Sequence, residues 1–198
     1  MKISHLKRNL ISLLCFVCIL FSFPLFSIAV DENAILAGGC FWCLEHDLEE
    51  IPGVISVVSG YTGGTLHSPT YKNHDGHQEA VIVTFDSNIL TYSNLLKKYW
   101  KNIDPFDSGG QFCDRGNSYR PVIFVANSSQ LEEARLSLKN ASKELSIQPN
   151  EIKVEIRDAT QFWLAEDYHQ DFARKNKLKY NFYRYSCGRD KRLEDLWG

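Results

Sequence analysis

The feature that most constrains the fold is a junction. Ile35-Leu36-Ala37 is apolar and ends at Gly38-Gly39. Cys40-Phe41-Trp42-Cys43 then opens a run in which Leu44, Leu48 and Ile51 recur at helical spacing until Pro52-Gly53 stops it. A buried strand that turns directly into an amphipathic helix commits the chain to a sheet layer with a helix laid on it. The two glycines let another molecule come close to the backbone. A cysteine at such a helix start sits among free backbone N–H groups and at the positive end of the helix dipole. Cys40 is therefore expected to have a lowered thiol pKa and to act as a nucleophile at neutral pH. Phe41 and Trp42 stand where they can wall an apolar pocket beside the sulfur.

The rest of the chain repeats the alternation. Residues 54–61 are β-branched and strand-like, and Thr62-Gly63-Gly64 closes them. A polar loop with Pro69 and Tyr71 leads to a strand over 80–85, then to a helix over 91–102. Residues 104–120 form a long Gly-rich loop, of the kind that is usually functional inside a compact domain. A strand over 121–126 precedes a helix capped by Asn127 or Ser128 that runs to about Leu145. A strand over 153–157 and a helix over 160–177 follow. Residues 178–198 are aromatic, then basic, without a clear period. The layout is α+β, one sheet with helices on one face.

The first 29 residues stand apart. Lys2, Lys7 and Arg8 precede an apolar run over 10–30 with no acid, and Ser27-Ile28-Ala29 supplies small residues for cleavage. This is expected to be a signal peptide, or else an uncleaved N-terminal anchor, with one domain over 30–198. The domain is then exported: to the periplasm or cell envelope if the source is bacterial, with secreted or membrane-anchored forms as alternatives. Removing the three leader cations leaves 19 of the 22 Lys and Arg against 24 Asp and Glu, a net of −5. A mildly acidic domain lacks the electrostatic footprint of a nucleic-acid binder.

Four cysteines remain in the domain: Cys40, Cys43, Cys113 and Cys187. In an exported chain they could form two structural disulfides with three possible pairings. Cys40-x-x-Cys43 at a helix start argues for reactivity instead. Glu79 shares the strand face of Val81, Val83 and Phe85, so its carboxyl should be poorly hydrated and its pKa raised, as suits an acid. The loop around Cys113 adds Asp114 and Tyr119, and Tyr71 offers a second phenol. His67, His74 and His77 lack a regular metal-ligand spacing, so no metal is expected. His169 reads as a hydrogen-bonded structural residue. After Met1 there is no methionine, which suits a protein that lives with oxidants or handles oxidised methionine.

Gly38-Gly39-Cys40-Phe41-Trp42 resembles the signature of A-type peptide-methionine (S)-S-oxide reductases. The resemblance continues through Gly60-Tyr61-Thr62-Gly63-Gly64, Pro69-Thr70-Tyr71, Gly76-His77-Gln78-Glu79-Ala80-Val81, Asp114-Arg115-Gly116 with Tyr119-Arg120, and Ala165-Glu166-Asp167-Tyr168-His169-Gln170. It implies a two-layer α/β sandwich with a ferredoxin-like core, long functional loops and an irregular C-terminal tail. By the same resemblance Cys40 attacks the sulfoxide sulfur and Glu79 assists departure of the oxygen. Tyr71, Asp114 and Tyr119 surround that oxygen, and Phe41 and Trp42 hold the S-methyl group. Methionine leaves, Cys40 becomes a sulfenic acid, and a second thiol closes a disulfide that a thioredoxin-like dithiol reduces. No cofactor or metal is needed, and a monomer is expected.

Three departures from the commonest pattern bear on the second thiol. Cys43 stands where many members have glycine, the loop from Tyr71 to Glu79 is short, and the tail has one cysteine. Cys187, on a Gly-flanked tail, is the expected resolving residue, with Cys113 and Cys43 as alternatives. The competing function is an exported thiol–disulfide oxidoreductase using Cys40 and Cys43. It leaves Glu79 and the matching loops unexplained.

Overall fold

The computed structural model describes residues 31–198, so the leader expected over 1–29 lies outside the described residues. Among the described residues eight strands and six α-helices follow in the order β1 (Asp31–Ala37), α1 (Phe41–Glu49), β2 (Val54–Thr62), β3 (Gln78–Asp86), α2 (Tyr92–Trp100), β4 (Gly110–Gln111), β5 (Asp114–Arg115), β6 (Val122–Val125), α3 (Ser128–Glu144), β7 (Glu155–Asp158), β8 (Trp163–Leu164), α4 (Phe172–Lys175), α5 (Lys177–Ser186) and α6 (Arg189–Trp197). No described helix is long and apolar enough to cross a membrane.

The main sheet runs β7-β6-β1-β3-β2-β8, and β4 and β5 form a small separate hairpin. The central four strands pair antiparallel in the order β6-β1-β3-β2, the ferredoxin-like arrangement. Strand β7 adds parallel to β6 after the α3 crossover, and β8 adds antiparallel to β2. Period-2 alternation sorts the sheet's side chains. Ala34 and Leu36 of β1 and Val81, Val83 and Phe85 of β3 join Phe41, Leu44, Leu48, Leu95, Leu96 and Tyr99 in one buried cluster. Each such fully buried aliphatic or aromatic side chain contributes roughly 1.5–3 kcal/mol relative to exposure. Asn127 caps α3 through its Oδ1, which accepts from the Gln130 amide at 3.0 Å.

Two sequence expectations fail toward the C-terminus. The helix expected over 160–177 is largely extended and turning chain that ends in the short α4. Its backbone is spent on the sheet edge: Tyr61 pairs with Trp163, and Ala165 N–H donates to the Ser59 carbonyl at 3.0 Å. Gly60 permits the approach, since a Cβ there would lie 2.3 Å from the Phe162 ring and the Trp163 carbonyl. The tail expected to be irregular over 178–198 is helical, as α5 and α6. Its inward face carries Tyr180, Tyr183 and Arg189 rather than an aliphatic stripe, so hydrophobic periodicity does not reveal it.

Candidate active site

Cys40 is the N-cap of α1, reached through Gly39, whose φ of +86° suits glycine. A side chain on Gly39 would also meet Gln111 at 2.6 Å. Glu79 opens the buried face of β3 with 1% exposure, as alternation requires. The two residues meet through the helix start, where the Phe41 N–H donates to Glu79 Oε2 at 3.1 Å. Burial raises the Glu79 pKa to about 8, with Asp114 adding to the shift and the Phe41 bond opposing it. The carboxyl is thus a proton carrier near neutrality, as expected from its strand position.

The expected lowering of the Cys40 pKa is not found. Its thiol is pushed well above the usual range, first by burial and then by Cys43 and Glu79. The free N–H group that was to favour a thiolate serves Glu79 instead. The lowered thiol is Cys43, brought to about 7 as it accepts a hydrogen bond from Cys40 and faces Arg189 and Arg184. Cys40 and Cys43 are both free and buried, whereas Cys113 and Cys187 form a disulfide with Cα atoms 4.9 Å apart.

A cavity of about 50 Å³ is lined by every residue assigned above to the catalytic and methyl-pocket sets. Phe41 and Trp42 line one part, with ring centroids 6.4 Å apart. Tyr71, Asp114 and Tyr119 converge on Glu79 from the two long loops. Burial and the nearby carboxylates raise the phenol pKa of both tyrosines, that of Tyr71 to about 12, so both are hydrogen-bond donors at neutral pH. A larger groove of about 510 Å³ between α2 and α3 contains no cysteine and no such convergence of acids.

Several residues around the cavity were not anticipated in these roles. Tyr183 of α5 also lines it and donates to Asp114 Oδ2. Phe172 stacks on Trp42 with centroids 3.7 Å apart and planes 7° apart. His169 Nδ1 accepts from Trp42 Nε1 at 3.0 Å, and burial lowers the His169 pKa, so the neutral ring orients the indole. Glu166 holds the Tyr71 amide and the Tyr61 hydroxyl, each at 3.0 Å. The motif 165–170 was visible in the sequence, and its work is to fix Trp42 and Tyr71.

The three loop histidines do not cluster as ligands. His77 is buried against the Leu66 carbonyl and Gly64 amide, His74 stacks on Tyr61, and His67 meets Trp163 edge-on. The one compact group of possible ligands among the described residues is Cys113, Asp114 and Cys187. Two of its three donor atoms are spent in the disulfide.

A family model described as "Peptide methionine sulfoxide reductase" matches residues 32–198. The chain belongs to the peptide methionine sulfoxide reductase family. It is 50% identical over 179 residues to "Peptide methionine sulfoxide reductase MsrA 2" of Caulobacter vibrioides, covering 88% of this chain and 90% of that one. It is 46% identical over 171 residues to MsrA of Bacillus licheniformis, covering 84% and 94%. Among solved structures, methionine sulfoxide reductase A of Corynebacterium diphtheriae matches with a TM-score of 0.68 at 29% identity, covering 75% of this chain and 76% of that one. Mxr1 of Saccharomyces cerevisiae in reduced form matches with a TM-score of 0.68 at 26% identity, covering 74% and 86%.

Proposed function

We propose that this chain reduces methionine S-sulfoxide, free or in proteins, to methionine. The observation that carries this reading is the convergence of a thiol, a protonated carboxyl and two aromatic walls on one small cavity. Cys40 attacks the sulfoxide sulfur while Glu79 gives a proton to the departing oxygen. Tyr71 and Tyr119 donate hydrogen bonds to that oxygen, Asp114 orders the polar side, and Phe41 and Trp42 receive the S-methyl group. As the methionine sulfur–oxygen bond and the transient sulfur–sulfur bond break, methionine leaves and Cys40 holds the oxygen as a sulfenic acid, and the proton given up by the Cys40 thiol restores the Glu79 carboxyl.

Cys187 then attacks the Cys40 sulfenic sulfur, releasing water and forming a Cys40–Cys187 disulfide. Attack by Cys113 on Cys187 frees Cys40 and leaves the Cys113–Cys187 bond, the arrangement found here. A thioredoxin-like dithiol reduces that bond. The leader supports an exported location, which calls for a donor outside the cytosol.

The test is reduction of separate S and R epimers of a methionine sulfoxide peptide with dithiothreitol as reductant. Turnover of the S epimer alone, abolished in Cys40→Ser, is expected. Failure with both epimers, together with reduction of insulin, would return the chain to the disulfide oxidoreductase reading.

A further inference from the structure

Tyr119 sits on a single turn of helix, Asn117–Tyr119, entered through Gly116, whose φ of +118° suits glycine. Asn117 and Ser118 are exposed, so burial does little to fix this turn. What lies behind it is the start of β3. The pairing of β1 with β3 ends at Leu36 and Val81, because the chain then leaves the sheet toward Cys40. The first residues of β3 therefore have β2 on one side and the Tyr119 turn packed beside them. Alternation sends Glu79 to the cavity and Gln78 to the opposite face of the sheet.

Gln78 has 1% exposure, and both ends of its amide are used. Its Oε1 accepts from Arg157 Nη1 at 2.9 Å, and its Nε2 donates to the Asn117 carbonyl at 3.3 Å. A guanidinium can only donate, so the atom facing Arg157 must be the oxygen, which leaves the amide nitrogen for the turn. Arg157 Nη2 donates to the Gly63 carbonyl at 2.7 Å, and its guanidinium lies 5.3 Å from the ring centroid of Phe124, its partner in the β6–β7 register. A Cβ on Gly63 would stand 2.5 Å from Gln78 Oε1, so glycine keeps the place open. Glu155, on the same face of β7 as Arg157, pairs with Arg120 just after the turn. The edge strand β7 thus grips the turn at its entry through Gln78 and at its exit through Arg120. The neighbours of this network on that face are apolar, Ala37, Ala80, Val122 and Phe124. Buried polar groups in such surroundings hold a fixed geometry only when every member is paired, as these are.

We propose that Gln78 and Arg157 are positioning residues for the reduction, holding through the Asn117 carbonyl the turn that aims the Tyr119 hydroxyl at the sulfoxide oxygen. This rests on the function proposed above. The two phenols of the cavity would then be set from separate places, since the Tyr71 backbone is held by Glu166. Neither Gln78 nor Arg157 lines the cavity, so both act only through Tyr119.

The experiment is single-turnover methionine formation by the fully reduced full-length protein, followed over a range of S-sulfoxide peptide concentrations. Gln78→Met and Arg157→Met should each lower the maximal rate by roughly tenfold, within what a displaced reacting group costs. The half-saturating peptide concentration should change by less than about twofold, because Phe41 and Trp42 are untouched. In a Tyr119→Phe background, which has already lost the hydroxyl, either substitution should slow the reaction by less than about twofold. A merely structural loss would carry over undiminished into that background. Arg157 is half-buried at the sheet edge, so its variant carries the test if Gln78→Met does not fold. Equal slowing in both backgrounds, or a wild-type rate in either single variant, would overturn the proposal. No methionine from the wild type would instead overturn the functional reading, and this inference with it.

Discussion

The two walls of the cavity are built by different means. On the sheet side, Cys40 and Glu79 are fixed by a strand-to-helix turn and a strand face, and Phe41 extends directly into the main core. On the opposite side the chain from 165 to 189 wraps back over α1. There Phe172, Ala173 and Tyr180 form a separate small cluster with Cys40 and Cys43, and Trp42 and Tyr183 pack against it. The reacting atoms are therefore set by secondary structure, whereas their cover is set by ring stacking, ion pairs and one disulfide.

The comparison can be broken most sharply at Cys40. Cys40→Ser is expected to form no methionine from either epimer while keeping its fold, read by product analysis and circular dichroism. The next largest effect separates the two walls. Cys187→Ser should give one turnover at the wild-type rate and then stop when a thioredoxin-like dithiol is the reductant. Sustained cycling in that variant would remove Cys187 from the pathway.

Glu79→Gln should slow single-turnover reduction by roughly 10²–10³-fold, since one positioned acid is worth about that range. It also makes a stability prediction with a definite sign. The folded carboxyl has its pKa raised from 4.5 to about 8. The folded state thus holds the proton more tightly than the unfolded one, and stability is lost as pH rises through that window. Glu79→Gln should therefore melt higher than the wild type at about pH 8 and gain least near pH 5. On the wrap side, Phe172→Leu should raise KM several-fold and change kcat little, because it removes the stack that holds Trp42 rather than a reacting group. A fall in kcat equal to that of Glu79→Gln would erase the distinction between the walls.

The same division explains what the sequence made legible. The junction at Gly38-Gly39-Cys40 and the alternation from Glu79 to Phe85 are short-range patterns, and both residues stand where those patterns put them. A local rule about helix starts does not give the ionisation of Cys40, because the thiol is buried by distant parts of the chain and faces Cys43 and Glu79, and Glu79 also takes the Phe41 N–H group. The wrap was missed because its buried side uses Tyr180, Tyr183 and a fully buried Arg189, whose partners are distant in sequence. Trp42 lines the cavity, and nothing local in the sequence shows that His169 and Phe172 hold it there.

The Cys113–Cys187 bond bears on traffic through the enzyme. Cys113 is exposed and Cys187 partly so, whereas Cys40 keeps only 5% of its surface accessible. In the cycle proposed above, a dithiol donor would meet the Cys113–Cys187 bond without entering the chamber around Cys40. That cycle would give the damaged residue and the renewal of reducing power separate doors, so that a donor could change over evolutionary time without reshaping the chamber.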